Sequence, residues 1–253
     1  MSHSHDERFS TAPATTARPD MSVDVGLRRF MLGVYNKVAL GLALSGALAY
    51  VTSMVAPVRD ILFRVTPEAQ FAGYTALGLA VVFAPLVVLL GAMFVMRRPS
   101  ASGANFVYWA VAALMGASLG VLGLVYTGAS LVSTFLITAA AFGALSLFGY
   151  TTRRDLSGFG SFLLIGLVGL IIASLVQMFW NPPGFSFVIS AVGILIFAGL
   201  IAYDTQRLKH LYFELGADHA ALGAATSYGA LSLYLDFVNL FQFLLAFLGE
   251  RRS

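Results

Sequence analysis

From Val38 onward the chain alternates long apolar stretches with short polar breaks. Seven stretches stand out: Val38 to Ala56, Phe71 to Met96, Phe106 to Tyr126, Leu131 to Tyr150, Phe159 to Trp180, Phe185 to Tyr203 and Tyr228 to Leu248. Each holds 19 to 26 residues. At ~1.5 Å of rise per residue, a helix of about 20 residues crosses the ~30 Å hydrocarbon layer and satisfies its own backbone groups. The pattern therefore predicts an all-α integral membrane protein with seven transmembrane helices. Thr127-Gly128, Arg153-Arg154-Asp155 and Asn181-Pro182-Pro183-Gly184 break the pattern where tight turns between antiparallel neighbours are needed. Two links are longer. One runs from Pro57 to Gln70. The other is the 24 residues from Asp204 to Ser227, whose charges mixed with Leu211, Tyr212 and Phe213 predict a segment lying at the membrane interface.

Composition sharpens this. Hydrophobic residues make up 58% of the chain and charged residues 11%, against about 25% charged in an ordinary globular domain, so a soluble protein is excluded. The absence of Cys excludes a disulfide scaffold, an iron–sulfur site and a cysteine nucleophile. Of the 15 Lys and Arg residues, all but Arg8 and Arg18 sit near the ends of apolar runs. They are topology signals rather than a nucleic-acid surface, and the partner they imply is the lipid bilayer. Residues 1–34 are rich in Ser, Thr, Pro and mixed charge and predict a disordered tail. No apolar run follows a short basic start, so no cleaved signal peptide is expected. The transmembrane domain is then 35–249, with a short basic tail at 250–253.

Orientation follows from counting cations near the span ends. With the N-terminus in the cytoplasm, that side receives Arg28, Arg29, Lys37, Arg97, Arg98, Arg153, Arg154, Arg207 and Lys209. The other side receives Arg59, Arg64, Arg251 and Arg252, and the bias of nine to four favours a cytoplasmic N-terminus. Arg251 and Arg252 face outward if the seventh segment crosses fully and inward if it re-enters. The sequence leaves both open.

Ionisable residues are nearly absent from the spans, so the exceptions carry most of the information. Asp236 lies about nine residues into the seventh stretch, where insertion of an acid costs on the order of 2.5–3.5 kcal/mol. Asp204 closes the sixth. On a helix, Ser232, Asp236 and Asn239 share one face, extended by Gln242, and that face must look inward. Two carboxylates brought close in a low-dielectric site cannot both ionise cheaply, so they share a proton and become a switch. Rival chemistries lack parts. Gly116-Ala117-Ser118-Leu119-Gly120 matches a hydrolase elbow, but His3, His5, His210 and His219 all lie outside the spans, so Ser118 has no general base. The glycines read instead as small-residue helix packing. Lys37 and Lys209, the only lysines, fall outside the last span and exclude a retinal linkage. No internal repeat supports a broken-helix transporter. His3 and His5 in the tail are a weak metal pattern.

The segments Phe197-Ala198-Gly199-Leu200-Ile201-Ala202-Tyr203-Asp204-Thr205-Gln206 and Leu231-Ser232-Leu233-Tyr234-Leu235-Asp236-Phe237-Val238-Asn239-Leu240-Phe241 resemble the two signature segments of the Bax inhibitor-1 family, in its bacterial YccA-like branch. Met31 to Asn36, Phe83 to Leu86 and Met96-Arg97-Arg98 extend the likeness, which runs from about Leu27 to Gly249. The resemblance implies a seven-helix fold whose last helix is central and wrapped by the other six, in a bacterial inner membrane. It implies a pH-sensitive calcium leak, not an enzyme. The acids matching Asp204 and Asp236 would form the proton-sensing pair and the arginine matching Arg97 would latch the first of them. Ser232 and Asn239 would give polar support. No tightly bound cofactor is expected, although the two carboxylates with Asn239, backbone carbonyls and water could hold Ca²⁺ transiently. The alternative function is a non-transporting regulator that restrains a membrane-bound AAA protease through the polar tail.

Overall fold

The computed structural model describes residues 25–67, 70–95, 100–180, 182–216 and 218–252. These form eight helices and one small hairpin. The helices are α1 (Val25–Met54), α2 (Ala56–Leu62), α3 (Ala76–Val95), α4 (Ala101–Val125), α5 (Gly128–Thr151), α6 (Ser157–Phe179), α7 (Phe185–Leu215) and α8 (His219–Leu248). All but the seven-residue α2 are long and apolar enough to cross a membrane. The hairpin pairs β1 (Phe63–Val65) with β2 (Phe71–Tyr74), and Phe63, Phe71 and Tyr74 meet edge to face with centroids 5.0–6.3 Å apart. It occupies the link expected between the first two spans.

Three boundaries differ from the sequence reading. Helix α1 begins at Val25, inside the stretch expected to be tail, because Leu27, Phe30, Met31 and Val34 form a buried stripe at helical spacing. The second span begins at Ala76, since Phe71–Tyr74 is strand. The long interfacial link does not exist. Helix α7 runs on for 11 residues past Asp204 and α8 starts nine residues before Tyr228, leaving only residues 216–218 between them. Gly216 ends α7 with φ of +57°, a conformation glycine adopts without steric cost, and the Asp218 side chain accepts the Ala221 N–H at 3.0 Å as the N-cap of α8.

Helices α1, α7 and α8 hold 30, 31 and 30 residues, about 45 Å each, and so outrun a ~30 Å hydrocarbon layer by some 15 Å. The start of α1 and the end of α7 pack together, with the Phe30 and Tyr212 rings 5.6 Å apart. Gly33 of α1 in turn lies against Thr226 near the start of α8.

In a bilayer, apolar surface gains little by leaving lipid for protein, so helices associate through close packing and hydrogen bonds. The α1–α4 interface shows this. A side chain at Gly116 would collide with the Ser45 backbone, one at Gly120 with Thr52 and Ala49, and one at Gly123 with Ser53. Helix α8 packs against α1, α4, α5 and α7, while α3 lies on α4 and α6 lies on α7. Phe83, Phe94, Phe106, Phe162, Ile165 and Phe179 project outward as lipid-facing surface.

Beyond α8 the chain folds back on the α4–α5 turn. Thr127 N–H donates to the Glu250 carbonyl at 3.0 Å, Arg252 N–H to the Val125 carbonyl at 2.9 Å and Glu250 N–H to Ser130 Oγ at 2.9 Å. Arg251 and Arg252 therefore share a face with the α4–α5 turn, opposite the α7–α8 turn, and α8 runs the full depth of the bundle.

Candidate functional site

Asp204 and Asp236 are both buried, one on α7 and the other on α8. The tight 216–218 connection sets the two helices side by side, and Gly229 gives Leu208 room to pack on the α8 backbone. The packing of α7 on α8 sets the two acids on facing turns. Ser232, one turn before Asp236, donates its hydroxyl to Asp204 Oδ2. Arg207, one turn after Asp204 and itself exposed, is the guanidinium whose charge reaches that carboxyl. Asp236 Oδ2 is buried without a protein hydrogen-bond partner among the described residues.

Further polar contacts tie the helices together, and the sequence reading had taken three of their members, Lys37, Arg154 and Lys209, for topology charges. The buried Gln206 accepts Leu156 N–H at 2.8 Å and donates to the Arg154 carbonyl at 2.7 Å, fastening α7 to the α5–α6 turn. Lys209 donates to the Tyr150 carbonyl at 2.9 Å and lies 5.8 Å from the centre of that ring. On the other flank, Lys37 donates to Asn105 Oδ1 at 2.8 Å and Ser227 Oγ at 2.6 Å, joining α1, α4 and α8. Ser45 Oγ lies 2.7 Å from the Tyr234 hydroxyl and 2.8 Å from the Ala112 carbonyl. The only signal for these residues was a polar side chain at a core position of a helical repeat. At the α5–α6 turn, the Ser157 hydroxyl and backbone N–H hold the exposed Asp155 carboxyl below the usual carboxylate range.

Of the expected site residues, the structure brings Asp204, Asp236 and Ser232 together. Asn239 does not join them by its amide N–H, which donates to the Leu235 carbonyl of its own helix at 2.8 Å. Arg97 lies outside the described residues, as do His3 and His5. Ser118 donates to the Met115 carbonyl at 2.8 Å, and its flanking glycines are spent on helix packing. Among the described residues no three His, Asp or Glu side chains gather into a metal-ligand cluster.

Two cavities open between α1 and α5. The larger, about 950 Å³, is walled by apolar side chains such as Leu42, Phe135 and Leu136 and floored by Phe237 and Phe241 of α8. It offers an ion almost no oxygen. The smaller, about 670 Å³, is lined by Arg28, Tyr35, Ser146 and Tyr150 among others. Tyr35 and Phe142 border both, edge to face with centroids 6.4 Å apart.

Seven apolar helices that bury a pair of acids on the last two define a multi-pass α-helical membrane protein. The family model for the inhibitor of apoptosis-promoting Bax1 matches residues 27–253. The chain belongs to the Bax inhibitor-1 family. It is 60% identical to an uncharacterized protein of Caulobacter vibrioides over 236 residues, covering 93% of this chain and 94% of that one. It is 43% identical to protein RP147 of Rickettsia prowazekii, covering 96% and 98%. With the inner membrane protein YbhL of Escherichia coli K12 it shares 39% identity, covering 90% and 94%.

Proposed function

We propose that this protein is a pH-sensitive calcium leak of a bacterial inner membrane, with Asp204 and Asp236 as its proton-sensing pair. The observation that carries this reading is the meeting of the two acids on neighbouring helices inside the bundle. Paired carboxyl groups this close cannot both hold a negative charge, so they keep a shared proton and respond when it leaves. While a guanidinium holds the ionised acid the path stays plugged, and loss of that bond lets α7 and α8 part. Calcium is cargo here: the separated carboxylates, with backbone carbonyls and water, supply part of the six to eight oxygens it prefers. Arg97, the proposed latch, would hold the ionised form of Asp204 and restrain the leak. The cation bias supports a cytoplasmic N-terminus.

The test is calcium efflux from proteoliposomes between about pH 6 and pH 8. Asp236→Asn, which keeps the shape and removes the titration, should flatten the pH profile while the protein stays folded. A profile identical to wild type would refute the reading. A regulator of a membrane-bound AAA protease remains the second proposal, resting on the polar tail, and the geometry of the acid pair favours the leak.

A further inference from the structure

Among the described residues three buried side-chain polar atoms lack a hydrogen-bond partner in the protein: Ser146 Oγ on α5, Thr205 Oγ1 on α7 and Asp236 Oδ2 on α8. They are not scattered. Thr205 follows Asp204 in the chain, and the Tyr35 hydroxyl of α1 faces both Thr205 and Ser146. Tyr35 and Ser146 also line the 670 Å³ crevice that Arg28 borders. Alanine would fill the place of Ser146, and valine that of Thr205, without orphaning a hydroxyl. Buried polar groups with no protein partner are satisfied by ordered water, each molecule making about three hydrogen bonds.

We propose that Tyr35, Ser146 and Thr205 bind a short file of water that carries protons from the α1–α5 crevice to the Asp204–Asp236 pair. The inference rests on the proton-sensing reading of that pair. Along the file each oxygen accepts a proton on a lone pair and releases its own to the next. The hydroxyls end unchanged, and one carboxylate oxygen gains the proton. The Tyr35–Phe142 contact stands between this file and the apolar cavity, so water is confined to the polar side.

The other titratable and charged groups around the route are engaged or lie at its edge. Arg28 of α1 is at the mouth. Tyr150 of α5 carries Lys209 of α7 over its ring, and Arg207 faces Asp204 from the exposed side. Tyr234 of α8 turns to Ser45, Tyr108 of α4 donates to the Lys37 carbonyl, and Lys37 binds Asn105 and Ser227.

Because the chain contains no Cys, Ser146→Cys and Thr205→Cys each create a single thiol. In nanodiscs, silver ion should block later maleimide labelling at both positions at least about tenfold faster than at the lipid-facing control Ile165→Cys, because silver reacts with a hydrated thiolate. Rates equal to the control at both positions would overturn the water file. This arm does not depend on calcium flux. In a second arm, Tyr35→Phe should slow the flux response to a pH jump about tenfold, as loss of one relay oxygen does. An unaltered response rate would overturn the relay role of Tyr35. A wild-type flux indifferent to pH would sink the sensor reading instead, and the silver result would still decide whether water reaches Thr205.

Discussion

Ser232 and Asp204 meet across the α7–α8 interface, the serine hydroxyl donating to Oδ2 of the aspartate. A buried carboxyl that loses such a donor bears an uncompensated desolvation cost of about 1–3 kcal/mol. Ser232→Ala should therefore lower the melting temperature in detergent by several degrees, and Ser232→Thr, which keeps the hydroxyl, should restore most of it. Equal melting of wild type and Ser232→Ala would mean that the bond contributes nothing to stability.

The α1–α4 interface should tolerate added volume poorly. At Gly116 a Cβ would press on the Ser45 backbone, which cannot rotate away. Gly116→Ala is expected to cost at least about 1–3 kcal/mol through forced separation of the helices. Gly91, with open space around it, is the matched control: Gly91→Ala should leave thermal unfolding unchanged or slightly improved.

Truncation separates tail from core at Val25. Removing residues 1–24 should leave thermal unfolding unaltered, whereas Leu27→Ala, at a fully buried position, should cost about 2–5 kcal/mol. If the regulatory reading holds, the truncated protein inserts normally and loses protease association in a pull-down. Retained association would remove the tail as the handle.

At the α5–α6 turn the sign of a pH effect is set by Asp155. Its carboxyl is held below its ordinary value of 3.8 by the Ser157 hydroxyl and N–H, so the folded state binds its proton less readily than the unfolded chain. The stabilisation is then complete above the unfolded value and is lost as pH falls through the lower, folded one. Wild type should melt above Asp155→Ala at neutral pH, with the gap shrinking below about pH 4. A gap independent of pH would show that the charge plays no part.

Much of this was legible from residues alone. Apolar length predicted the seven long helices, since a bilayer leaves few other solutions for such a sequence, and the rarity of intramembrane acids singled out Asp204 and Asp236. The helix ends were misread because charge was taken as a stop signal. Arg207 and Lys209 sit inside α7, where Lys209 reaches the Tyr150 carbonyl and Arg207 stays exposed. The better signals were Gly216 and Asp218, a helix-ending glycine and a capping acid two residues apart. Helical spacing puts Asn239 on the face of Asp236, and what spacing could not show is that its amide N–H donates within its own helix. Tyr35, Ser146 and Thr205 lie on three helices, and their nearness follows only from tertiary packing.

The pairing of residues 250–252 with the α4–α5 turn bears on how α8 can move. Main-chain hydrogen bonds pin its far end, so while they hold, an axial slide is blocked and the remaining freedom is to tilt or turn about that end. The helix is then a lever with its fulcrum near Leu248. Asp236 stands 12 residues from that point and His219 stands 29, about 18 Å and 43 Å along the axis. A tilt that carries Asp236 by a given distance carries the α7–α8 turn about 2.4 times as far, so a small parting of two carboxyl groups becomes a larger swing at the opposite face.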